Sequence, residues 1–469
     1  MSRKCRSRWL VSASLALCAA FAAGQDRQAL DRQFQSAVAN YDTEHYTEAA
    51  AQLEALLPYG SKSFEVHELL GLIYAAQSQD SKAVDQLEIA AHLKPDSAAA
   101  RTNLAASLFH AGKSVQAEEQ FRKALELDPQ DYDANHNLGE LYVQSRNMTE
   151  AIPLLEKAQK IRPSYDNGYD LALAYFLTGK LDQARQLVQN LELIKDTGEL
   201  HNLRAQIEEK DGKYLAAVNE YETAAHMDPS ENNLFDWGSE LLLHRTYEPA
   251  IEVFQQATQR YSKSPRLFIG LGMALYSRGK YDDAVKALLT AADLNPSDPR
   301  CYLFLSKAYG ASPNETDDVI RRFRRYADLE PNNAQAVYYY AMSLWKGKRV
   351  EDPGQDLQDV ESLLEKSITL DPNLADAYVQ LGNFYADKRE YAKSVPEYES
   401  ALKLNPNLAD AHYRLGQDYV HTGEKDRAQA EFEVYQRLRA EQLAEVDKER
   451  AEVQQFVYSE KEASSSTKQ

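Results

Sequence analysis

Pro95, Pro129 and Pro163 stand 34 residues apart, and Pro372 and Pro406 repeat the interval far downstream. A fixed period of that length constrains the fold more than any single motif. A block this short holds two helices and a turn, too little to bury a core of its own. Each block must therefore stack on its neighbours to cover its apolar face, and the chain is expected to form a solenoid instead of separate globular domains.

Numbering each block 1 to 34, with proline at 32, brings the remaining pattern into register. Leu70-Gly71 and Tyr74 recur as Leu138-Gly139 and Tyr142, Leu381-Gly382 and Tyr385, and Leu415-Gly416 and Tyr419, at positions 7, 8 and 11. Ala83, Ala117, Ala151, Ala217, Ala250, Ala284 and Ala428 fall at position 20, followed by an apolar residue at 24 and usually Ala at 27. Positions 4, 7, 8 and 11 make one stripe of a first helix, and 20, 24 and 27 the facing stripe of a second. Small residues at 8 and 20 let the two backbones close, while a large residue at 24 fills the space beside them. Proline at 32 ends the hairpin, because it donates no backbone hydrogen bond and disfavours helix in the residue before it.

This skeleton resembles the tetratricopeptide-repeat (TPR) family, in its exported bacterial form. The resemblance implies an all-α, right-handed α-solenoid superhelix of about twelve helix hairpins. Their expected bounds are about 30–63, 64–97, 98–131, 132–164, 165–197, 198–230, 231–264, 265–298, 299–333, 334–374, 375–408 and 409–442. Lys346 to Asp356 lengthens one turn by about seven residues, and its Pro-Gly and charges predict a solvated loop. Residues 443–463, charged but with apolar residues at helical spacing, are expected to form a helix capping the solenoid, and 464–469 a disordered tail.

Arg3, Lys4, Arg6 and Arg8 precede an apolar run from Trp9 to Ala23 that ends in small residues, the layout of a signal peptide cleaved near residue 24. Export to the periplasm or the medium is therefore expected. The alternatives are a lipoprotein anchored through Cys18, or an N-terminal membrane anchor, for which the run is short. Cleavage leaves Cys301 as the one cysteine, so no internal disulfide is available.

A net charge of −19 argues against nucleic acid as a partner, since that affinity draws on concentrated Lys and Arg. No phosphate loop, Gly-x-Ser-x-Gly elbow, His-Glu-x-x-His pair or paired cysteines appears, so neither an enzyme, a cofactor nor a metal site is expected. The ten histidines show no i, i+4 pairing of His with His and no cysteine partner; His110 and His136 lie on groove-side positions of neighbouring repeats. Arg321, Arg322, Arg324 and Arg325 read as a solvated or ion-paired outer face.

In TPR proteins, positions 2, 5, 6, 9, 12 and 13 of the first helices point into a concave groove, and the resemblance places partner recognition there. Asn103 and Asn137 at position 6, with Asp170 next, resemble the start of the asparagine ladder in the TPR arm of O-GlcNAc transferases. Such amides hold an extended peptide by its backbone. Leu69, Leu203 and Gly270 interrupt the series, and no glycosyltransferase sequence follows, so that activity is not implied. Phe109, Tyr169, Phe176, Phe235, Tyr276, Tyr338, Trp345 and Tyr413 all fall at positions 5 or 12 and offer ring contacts. Charged groove positions are mostly acidic, among them Asp133, Glu140, Asp166, Glu199, Glu209, Asp376 and Asp410, which favours a neutral or basic partner. The expected function is a non-catalytic scaffold binding an extended protein segment. The alternative is an accessory of envelope assembly or polysaccharide export whose aromatic groove contacts glycan.

Overall fold

A computed structural model describes residues 24–312, 317–347 and 353–441. The expected signal segment, capping helix and tail lie outside the described residues, apart from Gly24. Every regular element among the described residues is an α-helix. The chain forms two compact units, Met1–Asn233 and Leu234–Gln469.

The N-terminal unit is a run of hairpins: α1 (Gly24–Asp42) with α2 (Tyr46–Gly60), α3 (Phe64–Ala76) with α4 (Asp80–Leu93), α5 (Ala98–His110) with α6 (Ser114–Leu127), α7 (Tyr132–Gln144) with α8 (Met148–Ile161), α9 (Tyr165–Leu177) with α10 (Leu181–Glu192), and α11 (Gly198–Lys210) with α12 (Tyr214–Met227). The division between the units falls within α13 (Glu231–Leu243). The C-terminal unit continues with α14 (Tyr247–Arg260), then α15 (Pro265–Ser277) and α16 (Tyr281–Leu294), α17 (Pro299–Ala311) and α18 (Asp317–Leu329), α19 (Ala334–Lys346) and α20 (Pro353–Leu370), α21 (Ala375–Asp387) and α22 (Tyr391–Leu404), and α23 (Ala409–Thr422) followed by α24, described over 425–441.

The hairpins close where small meets large. A Cβ on Gly139 would fall 2.6 Å from Leu155 Cδ2, and one on Gly71 2.5 Å from Leu87 Cγ, so in these two hairpins positions 8 and 24 form a single contact that glycine leaves open. Phe254 is held on both sides, by Gly238 and by Gly270 of the next hairpin; a Cβ on Gly270 would sit 2.5 Å from its ring. That is why the asparagine series breaks there: the ring occupies the space a position-6 side chain would need.

At five hairpins a tyrosine at position 11 forms a tie to the hairpin before. Tyr74, Tyr142 and Tyr175 bury their rings and donate their hydroxyls to Glu54 (2.6 Å), Glu118 (2.8 Å) and Glu156 (2.7 Å) on the preceding second helix. Tyr385 and Tyr419 repeat the bond in the C-terminal unit, to Glu361 (3.0 Å) and Glu399 (2.6 Å). A neutral hydrogen bond is worth about 1 kcal/mol and one to a charged group about 1.5–3, so this recurring pair contributes alongside the apolar contacts.

The fully described turns inside the hairpins share one geometry. In the ten described turns position 15 is left-handed, as glycine at Gly112, Gly179, Gly212, Gly279 and Gly423, and as a strained non-glycine at Glu44, Ser78, Arg146, Arg245 and Arg389 with φ of 59–63°. At the next hairpin's entrance, Ser97, Asp131, Ser164 and Thr197 accept from backbone N–H groups of the first turn and cap α5, α7, α9 and α11.

Two local expectations are corrected. α20 begins at Pro353, so residues 353–356 are helical and not part of a solvated loop. Proline's fixed φ suits the first helical position, where its missing N–H costs nothing. The first hairpin also begins earlier than residue 30, since α1 starts at Gly24.

Candidate functional site

In the N-terminal unit the first helices of successive hairpins touch one another in turn, α1 with α3, α3 with α5, α5 with α7, α7 with α9 and α9 with α11, while its second helices lie farther apart. The more tightly packed row of a stacked repeat is its inner wall, and the side chains that α5, α7, α9 and α11 present there form the candidate site.

Asn103, Asn137 and Asp170 follow one another along this wall but do different work. The Asn103 amide donates to Glu68 Oε1 on α3 at 3.1 Å, spending itself on contact between repeats. Asn137 is half-buried and has no side-chain partner among the described residues. Asp170 lies 3.9 Å from His136 Nδ1. Burial above all, and then the charges of Glu140, Asp166 and Glu199, push the Asp170 carboxyl up to about 7. Burial likewise raises Glu68 to about 7, against the opposing pull of Asn103 and Lys94. Tyr169 is raised by burial and by Glu199 beside its hydroxyl. Of the acidic side chains on this wall, Asp133 meets an arginine, Arg162, at 3.1 Å.

The residues around His136 are tightly organised. Its ring stacks on Tyr132 with centroids 5.7 Å apart, and Nδ1 lies 3.3 Å from Asn167 Oδ1. Ligand atoms of His136, Glu140 and Asp170 all lie within 4.8 Å of one another. A search for His–His or Cys pairs missed this group. The legible signal was His136-x-x-x-Glu140, one helical turn apart, and Asp170 joins it only when successive repeats are laid side by side. His136 has its contacts here, and no contact joins it to His110 among the described residues.

Family models described as tetratricopeptide repeat match residues 34–98, 81–132, 108–166, 147–207 and 235–299, and one described as TPR repeat matches 382–423, together more than half of the chain. The chain is a tetratricopeptide-repeat protein. It is similar to BBSome complex member BBS4 of Bos taurus, 23% identical over 358 residues that make up 66% of this chain and 68% of that one. TPR repeat-containing protein YpiA of Bacillus subtilis is 24% identical over 300 residues, 58% of this chain and 67% of the other. Among solved structures, a tetratricopeptide repeat protein from Parabacteroides merdae covers 60% of this chain and 99% of its own at 16% identity and a TM-score of 0.39. The APC/C hetero-tetramer Cut9–Hcn1 covers 87% and 94% at 14% identity and a TM-score of 0.38. No described helix of this TPR protein is long and apolar enough to cross a membrane.

The groove aromatics of the TPR protein divide between its two units. In the N-terminal unit Phe109, Tyr169 and Phe176 are half-buried against the core, and Lys210 Nζ stands 4.9 Å over the Phe176 ring. In the C-terminal unit Phe235 meets Phe254 edge-on under Arg266, Tyr276 leans on Tyr281, Tyr338 on Tyr339, and Trp345 meets Phe384 edge-on at 5.7 Å. Tyr413, 40% exposed, packs against Phe432 and Tyr435. Each ring therefore has a packing role on one side and an open side.

Other conspicuous residues are structural. His67, His201 and His412 occupy position 4 and reach the second helix of their own hairpin, at Gln86, Glu220 and Glu431, while their other nitrogen is held by the preceding loop. Arg101 does the same with Gln120 and the Pro95 carbonyl. Arg322 and Arg325 pair with Asp293, Arg321 with Asp318, and Arg324 with Asp328, so the basic cluster is ion-paired. Cys301 is buried and its thiol is pushed up to about 12, chiefly by burial, which leaves little nucleophilic thiolate.

Proposed function

We propose that this TPR protein is a non-catalytic scaffold that holds an extended segment of a partner protein along the first-helix wall of its N-terminal unit, and that the segment carries lysine or arginine. One observation carries the reading. Asp133, Glu140, Asp166, Asp170 and Glu199 lie along α7, α9 and α11, and among the described residues only Asp133 is matched by a Lys or Arg of the chain itself. Unmatched charge of one sign along a wall favours a complementary partner and speeds its encounter. Asn137, with its amide free, supplies a donor and an acceptor for the partner's backbone. A relative named as a member of a complex accords with such a role.

The test is fluorescence anisotropy with lysine-rich, neutral and glutamate-rich peptides, in a chelating buffer. Basic peptides should bind, more weakly as salt rises, and Asp166→Asn with Glu199→Gln should weaken them about tenfold. Equal binding of acidic peptides, or indifference to both substitutions, would refute the reading. Trp345→Ala and Tyr276→Ala probe the rings of the C-terminal unit; loss of glycan capture there, with no peptide binding, moves the protein to envelope assembly or polysaccharide export. We further propose that the protein is exported, which N-terminal sequencing of the chain from its native compartment would establish by a start near residue 25.

A further inference from the structure

We propose that His136, Glu140 and Asp170 bind a divalent transition-metal ion of the zinc class on the wall of the N-terminal unit. One imidazole and two carboxylates make a donor set that suits zinc, nickel, cobalt or copper and disfavours all-oxygen cations. His136 and Glu140 are four residues apart on α7 and so share a face, and α9 brings Asp170 to them. Their ligand atoms already lie within 4.8 Å of one another. Bonds of about 2.0–2.2 Å to one ion need the three side chains to rotate together, the imidazole included, since the ring nitrogen now 3.9 Å from Asp170 is Nδ1.

The surroundings prepare the imidazole. Asn167 is fully buried, and its amide nitrogen donates to Leu155 O at 2.9 Å and to Gln159 Oε1 at 2.7 Å. Its oxygen is thereby turned to His136 Nδ1, 3.3 Å away; in the tautomer protonated there, Nδ1–H donates to it and Nε2 is the nitrogen left to ligate. A ring nitrogen donating to a carbonyl while the other ligates is the usual support of a metal-bound histidine. Stacking on Tyr132, itself fixed by Ser164 at 2.6 Å, restricts the ring further. Neither carboxylate is taken by a fixed cation: Glu140 accepts from Gln144 at 3.0 Å, and the nearby Arg162 is paired with Asp133 instead. Three protein ligands leave at least one position open toward the wall, as in zinc sites that exchange a ligand and unlike closed structural ones. The site stands on α7 and α9 alone and holds whether or not the wall binds a peptide.

The experiment is calorimetric titration of the tag-free, chelator-treated full chain with zinc chloride, and then with magnesium chloride. One zinc per chain is expected, with no comparable magnesium binding, and cobalt(II) should give visible absorption of a site with nitrogen ligation. His136→Gln and Asp170→Asn, each checked for unchanged helicity, should weaken zinc at least tenfold, whereas His110→Ala should not. Absence of zinc binding, zinc affinity unchanged in both site variants, or equal binding of magnesium would overturn the proposal. Should the site variants lose helicity, the wild-type cobalt spectrum decides, because a site of oxygen ligands alone refutes the histidine.

Discussion

Glu68→Gln tests how the inner wall is held together, and its effect can be worked out in advance. Glu68 is 6% exposed on α3, and its Oε1 accepts from Asn103 on α5 at 3.1 Å. Burial is the main reason its carboxyl rises from 4.5 to about 7. The unfolded chain releases this proton near pH 4.5, whereas the folded chain keeps it until about pH 7. The stability this group contributes is therefore greatest below pH 4.5 and falls as pH rises through this window, because the folded state binds the extra proton. At about 1.4 kcal/mol per pH unit, the loss reaches about 3 kcal/mol by pH 8. A glutamine side chain in its place keeps an oxygen for Asn103 and cannot ionise. The variant should exceed the wild type by about 1 kcal/mol at pH 5.5 and by about 3 kcal/mol at pH 8. Urea unfolding by circular dichroism at the two pH values measures the difference, with hydrogen exchange in α3 and α5 as the local readout, since stacked repeats open piecewise. A less stable variant at pH 8 would show that Lys94 and Asn103 stabilise the carboxylate outright, and equal gains at both pH values would show that it does not titrate across this window; either result refutes burial as what governs it.

Other consequences follow from the repeat geometry. Arg146 sits at φ 59° in its turn, so Arg146→Gly should raise stability by about 0.5–1 kcal/mol in a thermal melt, and Gly179→Ala should lower it comparably. Gly139→Ala should cost about 1–3 kcal/mol by forcing Leu155 aside, and combining it with Leu155→Ala should cost less than the two single losses added. Tyr142→Phe removes a hydroxyl that bonds Glu118 at 2.8 Å and Arg122 at 2.6 Å; a loss of about 1–3 kcal/mol in urea unfolding is expected.

The helical, repeated nature of the fold was legible because it rests on residues whose partners lie within their own block or the next. Gly139 and Leu155 are a position-8 and position-24 pair of a single hairpin, and the spacing alone brings them together. Tyr142 is different. Its recurrence at position 11 was visible, but its partner Glu118 lies on the preceding second helix, and nothing in one block announces that bond. The turn at position 15 was hidden for another reason: Glu44, Ser78, Arg146, Arg245 and Arg389 adopt the left-handed geometry without the glycine that signals it, so packing on both sides outweighs local preference.

The wall was legible as a set of positions but not as a set of roles, and Asn103 and Asn137 show why. Both stand at position 6, on first helices, with the same side chain. Asn103 is spent because position 5 of the preceding repeat is Glu68, a buried carboxylate that needs a donor. Asn137 is spared because the corresponding residue there is Thr102, whose hydroxyl is satisfied by Asp131 at 2.7 Å and the Ala98 carbonyl at 3.0 Å. Position 5 of the next repeat is His136, which turns forward to Asn167 and Asp170. Each groove position is thus decided by the residue one repeat away, and identity at a position does not fix its availability. A reading by columns finds the candidates; only a reading across neighbouring rows separates an amide that binds its own chain from one left for a partner. The same crossing of rows assembles His136 and Glu140 of one repeat with Asp170 of the next, which no motif confined to a single helix contains.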